Sequence, residues 1–156
     1  MNVLIRNILP VCNSGTLRLF ILLLFVAGCG RTRTDPGKTA QTPEMNGSVA
    51  RGEEVYRLRC LTCHQVNGSG VPNIAPSLKG SARVSGDKSR LIVTILSGFN
   101  ENMEIGGEYY ANPMPSFRDL TDREIADVLT YIRYQFQDNA DPVTPAEVKS
   151  VREQGN

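Results

Sequence analysis

An all-α fold is predicted for this 156-residue chain on three observations. Apolar residues recur at helical spacing in three stretches, a Thr-x-x-Glu capping box opens the last of them, and no stretch alternates convincingly as a strand would. The first stretch, Ser48 to about Cys60, sets Val49, Gly52, Tyr56 and Cys60 on one face, with Arg51, Glu53, Glu54 and Arg57 outward. The second, Asp87 to Leu96, carries Leu91, Ile92, Ile95 and Leu96, with Gly98 where a C-terminal stop is expected. In the third, Thr121 and Glu124 form the box, and Ile125, Val128, Leu129, Ile132 and Phe136 follow on one face. A weaker helix is expected from Pro145 to about Glu153. The connections are loops rich in Gly, Pro, Asn and Ser.

Residues 1–28 stand apart from this fold. Arg6 and Arg18 precede nine apolar residues, Leu19–Ala27, too few to span a bilayer but suited to a signal-peptide core. The run ends Val26-Ala27-Gly28-Cys29, which resembles a bacterial lipobox and implies cleavage before Cys29 and acylation of its thiol. The expected organisation is a lipoprotein signal at 1–28, an acylated cysteine and flexible tether at 29–47, a domain at 48–138 and a C-terminal extension at 139–156. Tethering would face the protein to the periplasm, with inner and outer membrane both open. The tether expectation rests on composition: between Gly30 and Gly47 only Ala40 and Met45 are apolar.

Seventeen basic against sixteen acidic residues give a net charge of +1, which points away from a nucleic-acid partner. With Cys12 lost in the signal and Cys29 acylated, Cys60 and Cys63 are the cysteines left for chemistry, beside the single histidine, His64. They stand together as Cys60-Leu61-Thr62-Cys63-His64, the C-x-x-C-H attachment signal of c-type haem. Two thiols one helical turn apart can each form a thioether to a porphyrin vinyl group, while the adjacent imidazole reaches the iron. A structural zinc site wants four ligands and finds three here. A thioredoxin-like pair expects a βαβ context, and a plain disulfide leaves His64 unexplained.

A second histidine ligand is excluded by count. Among the methionines of the mature chain, Met45 falls in the tether and Met103 between acids. Met114 is held in Pro113-Met114-Pro115, where the prolines stiffen the backbone. Met114 is therefore the expected sixth ligand; core filling and an open sixth site are the alternatives. His/Met ligation favours electron transfer and leaves no vacancy for substrate, so the chain is not expected to be an enzyme. A haem enzyme or ligand sensor, peroxidase-like, with a labile sixth ligand is the alternative. A non-haem thiol pair in an interaction module is a third.

These residues resemble a class I (mono-haem) cytochrome c over about residues 48 to 138. Gly52 and Tyr56 match the small and aromatic positions of that family's first helix, and Val128 and Tyr131 match positions of its last, where the two helices cross closely. The resemblance implies the cytochrome c fold, three to five helices around one covalently bound haem c. Ala75-Pro76-Ser77-Leu78-Lys79-Gly80 resembles the loop after the haem motif, implying that the Pro76 carbonyl accepts a hydrogen bond from His64. Residues 106–136 are similar to cytochrome c domains fused to or partnered with quinoprotein dehydrogenases, copper nitrite reductases and haem-copper oxidases. There a Gly-x-x-Tyr element precedes the ligand methionine; by that match Tyr110 lines the haem pocket or is a half-buried loop aromatic. Arg83 is a candidate partner for a haem propionate. The partner implied is a separate redox protein, a dehydrogenase, reductase or terminal oxidase, with Lys79, Lys88 and Arg90 as candidate docking cations.

Overall fold

Thr42 opens the first helix: its side chain accepts from Met45 N at 3.3 Å, and Pro43 sits in the first turn, where its missing N–H costs nothing. The computed structural model describes residues 42–99, 102–137 and 141–155. The signal segment, Cys29 and residues 30–41 of the expected tether lie outside them. Helix α1 spans Pro43–Arg59, so it begins five residues before Ser48. Capping and Pro43, rather than burial, carry this extra turn, and for that reason an apolar pattern does not reveal it.

Among the described residues five further helices and two strands follow: α2 (Leu61–His64), α3 (Ala82–Ser85), α4 (Lys88–Ser97), β1 (Met103–Ile105), β2 (Glu108–Tyr110), α5 (Asp122–Phe136) and α6 (Pro145–Gln154). The described residues are mostly helical, as expected for an all-α fold. The antiparallel hairpin β1–β2 corrects the expectation of no strand, since Met103 pairs with Tyr110 and Ile105 with Glu108. Its turn is Gly106-Gly107, with φ of 65° and 86°, the left-handed pair that a tight two-residue hairpin demands. Strands of three residues are too short to show alternation.

The Gly98 stop and the Thr121–Glu124 box read from sequence are present, beside an Asp87 cap and a Thr144–Glu147 box that the structure adds. Asp87 accepts from Arg90 N at 2.8 Å to open α4, and Gly98 closes it. Thr121 and Glu124 bond reciprocally to open α5. Thr144 and Glu147 do the same for α6, with Pro145 in its first turn.

The core lies where α1 and α5 cross. Tyr56, Ile125, Val128 and Leu129 are buried there. Tyr56, Tyr131 and Phe136 pack as a tilted aromatic trio with centroids 5.3, 5.6 and 6.0 Å apart. Gly52 faces the Asp127 backbone so closely that a Cβ there would overlap the carbonyl and stand 2.8 Å from Tyr131 Cβ. Beside this contact the buried Asp127 carboxylate accepts from Ser48 Oγ at 2.6 Å and from Arg51 at 2.6 and 2.9 Å, tying α1 to α5.

Residues 141–155 pack onto α4 and α5. Val143 and Val148 are buried, and the Thr130 hydroxyl exchanges bonds with Val143 N and O. Arg152 donates to Asp122 at 2.8 Å and to the Arg118 and Leu120 carbonyls. Lys88 donates to the Pro142 carbonyl at 2.8 Å and pairs with Glu147 at 3.3 Å. It is committed to the fold and is no free docking cation.

Gly52→Ala forces α1 away from α5. It should destabilise the folded protein by about 2 kcal/mol, lowering its thermal midpoint by at least about 8 °C. A midpoint within about 2 °C of the parent would mean the crossing tolerates a methyl group.

Candidate functional site

Cys60 and Cys63 are placed by the junction of α1 and α2. Cys60 caps the first helix and heads the second, donating its N–H to the Tyr56 carbonyl at 2.9 Å. The single turn of α2 carries Cys63 and His64, whose N–H donates to the Cys60 carbonyl at 2.9 Å. The turn stops at Gln65, which has a φ of 62° outside glycine's usual monopoly on that region. Tyr56 steadies this bend, its phenol donating to the Gln65 carbonyl at 2.6 Å. The same side chain thus serves the helix crossing and the end of the motif.

His64 Nδ1 donates to the Pro76 carbonyl at 3.1 Å. A carbonyl can only accept, so the proton sits on Nδ1 and the Nε2 lone pair is left for a metal. Burial lowers the imidazole's pKa against the opposing bond from Pro76, which keeps the ring neutral and able to ligate. Burial, with the neighbouring Cys63, pushes the Cys60 thiol up to about 12. No disulfide joins Cys60 to Cys63, and among the described residues no three His, Cys, Asp or Glu side chains are grouped to hold a metal ion.

Met114 is placed by the end of α4. Phe99 N donates to the Met114 carbonyl at 2.9 Å, Ser116 Oγ to the Leu96 carbonyl at 2.6 Å, and Phe117 N to the Ile95 carbonyl at 2.9 Å. Orphan carbonyls of a helix terminus thus become the anchor of the methionine loop.

These segments enclose one cavity of about 570 Å³, within the range of about 300–1,000 Å³ typical of cofactor sites. Cys60, Cys63, His64, Pro76, Tyr110 and Met114 all line it, although His64 and Met114 are far apart in the chain. Leu91, Ile95, Leu129 and Ile132 supply apolar wall. Tyr110 lines the cavity, but its hydroxyl donates to Glu108 at 2.7 Å, and that contact holds the phenol's pKa above its usual value. Met103 sits on β1 with its backbone paired to Tyr110.

Arg59, Arg83 and Arg90 also line the cavity, with Arg83 over the Phe99 ring at 5.9 Å. Arg59 pairs with Asp119 at 3.0 Å. Arg59, Phe99 and Ile105 belong to no motif. The end of α1 brings in Arg59, the hairpin Ile105 and the segment after α4 Phe99, and only knowledge of those elements would have nominated them. The cavity therefore fits a large, flat, mainly apolar group with anionic appendages. Its thiol pair and imidazole line the same cavity and are the residues that would hold a haem there.

The comparisons agree with this geometry. The family model described as Cytochrome c matches residues 49–135. Cytochrome c-552 of Thermus thermophilus is 36% identical over 112 residues, covering 66% of this chain and 85% of that protein. The cytochrome c subunit of a quinone-type alcohol dehydrogenase from Gluconobacter oxydans (strain 621H) is 28% identical over 123 residues, covering 78% of this chain and 26% of that subunit. A nicotinate dehydrogenase polypeptide of Pseudomonas putida is 32% identical over 92 residues, 57% of this chain and 7% of that protein. With its helices, its C-x-x-C-H turn and its cavity all in agreement with that match, the chain belongs to the cytochrome c family, whose haem c is bound covalently, here through Cys60 and Cys63.

Proposed function

We propose that this protein is a lipid-anchored, periplasm-facing one-electron carrier with His64 and Met114 as the axial ligands of its haem iron. The observation that carries the reading is the shared cavity, lined by the motif residues and by Met114. Cys60 and Cys63 hold the cofactor as thioethers. The Pro76 carbonyl fixes the His64 ring, so Nε2 is presented without a change of tautomer. The bonds from Phe99, Ser116 and Phe117 restrain the loop that bears Met114. Arg83 and Arg90 are the cations available to propionates, Arg59 being paired with Asp119, and apolar side chains form much of the wall. Bound haem supplies an iron that takes up and releases one electron, and a thioether ligand favours Fe(II).

Electron partners are inferred from the relatives: two carry dehydrogenase names, so a separate dehydrogenase, reductase or terminal oxidase is the expected partner. The lipobox resemblance at Cys29 supports the anchor. Among the described residues no helix is long and apolar enough to cross a membrane.

A pyridine haemochrome assay on the purified protein should show covalently bound haem; a colourless native protein overturns the reading. Met114→Ala should lower the reduction potential and let the ferrous protein bind carbon monoxide, whereas Met103→Ala should do neither. Ready carbon monoxide binding by the parent at neutral pH would instead favour the peroxidase-like alternative. Cys29→Ser should release the protein from the membrane fraction, and retention there would count against acylation.

A further inference from the structure

Arg133 is 5% exposed, yet it follows Ile132, a wall residue of the cavity, on α5. Its Nε donates to the Asp141 carbonyl at 2.9 Å, and its Nη1 donates to the Val84 carbonyl at 2.6 Å and the Gly86 carbonyl at 3.1 Å. Val84 and Gly86 themselves line the cavity. All three partners are neutral, and among the described residues no carboxylate pairs with this guanidinium. That is unusual, because arginine is rarely so fully buried unless paired. The other buried charge of α5, Asp127, has its arginine.

We infer that Arg133 is a positioning residue with two coupled effects: it clamps the Val84–Gly86 wall to α5 and the C-terminal segment, and it sets a fixed positive charge behind that wall which raises the haem's reduction potential. The inference rests on the proposed electron-carrier reading. Reduction adds one electron to the site, and a nearby positive charge favours the state that holds it. Burial keeps water from screening the charge, so its influence outlasts that of the surface cations. Carbonyl oxygens satisfy the donors without cancelling the charge. A carboxylate would have cancelled it.

The test is a set of three variants in the full-length holoprotein, with the potential measured by mediated redox titration and stability by thermal unfolding. Arg133→Gln and Arg133→Met remove the charge. Each should lower the potential by about the equivalent of a tenfold change in the equilibrium with a reference couple, 59 mV for one electron. Arg133→Lys keeps the charge but loses the fork, so it should stay within about a third of that shift from the parent. All three should unfold at lower temperature, because carbonyls lose their donors. If Arg133→Gln yields no folded protein, Arg133→Met, which keeps the apolar bulk, decides. An unchanged potential in the charge-removing variants, or a fall in Arg133→Lys as large as theirs, overturns the inference. A parent without covalent haem overturns the electron-carrier reading itself, and this inference with it.

Discussion

The contact between Gly52 on α1 and the Asp127 backbone on α5 is the constraint from which the rest of the site follows. Helices meet at about 8–10 Å when side chains separate them, and removing one side chain lets the axes come closer. Here the approach delivers the end of α1, with Cys60, Cys63 and His64 beyond it, to the side of α5 that carries Leu129 and Ile132. A wider crossing would move the thiols relative to the wall the cofactor packs on. The Arg51–Asp127 pair and the aromatic trio sit beside the contact and hold it.

The second half of the cavity is built from helix ends. Helix α4 contributes Leu91 and Ile95 to the wall, then offers its terminal carbonyls to the segment bearing Met114. A ligand on a loop is as precise as the loop's attachment, and three hydrogen bonds, at the methionine's own carbonyl and at Ser116 and Phe117 just after it, supply it. Pro113 and Pro115 reduce the conformations the loop must give up. His64 is steadied by another route, with Pro76 on its ring and Tyr56 on the bend that follows it. Both axial candidates are thus oriented by backbone carbonyls or by bonds to them.

Much of this was legible in the sequence because it is written locally. The C-x-x-C-H run, the Thr121–Glu124 box, the Gly98 stop and the α5 periodicity all declare themselves within a few residues. What was illegible depends on distant partners or on very short elements. The β1–β2 hairpin has three residues per strand, and the first turn of α1 is exposed. Lys88 looks like a surface cation and Arg133 like an outward helix residue, because nothing beside them in sequence names their partners: Pro142 and Glu147 for Lys88, and the Val84, Gly86 and Asp141 carbonyls for Arg133. Asp127 likewise needs Ser48 and Arg51, more than seventy residues away.

That last group has a physical logic of its own. Helix α5 is amphipathic, yet ten of its fifteen residues are buried, which is more than one apolar stripe provides. α1 covers one flank, and α4 with residues 141–155 covers another, so polar side chains at Asp127, Thr130 and Arg133 are enclosed and must find partners. Asp127 is met by a cation and Thr130 by a backbone pair. Arg133 is met by carbonyls alone, two of them from the cavity wall. Had the C-terminal segment served only to bury the helix, an apolar residue at 133 would have done so without desolvating a charge. Retaining a cation there makes sense if the charge, and not only the contact, matters to the cavity beside it.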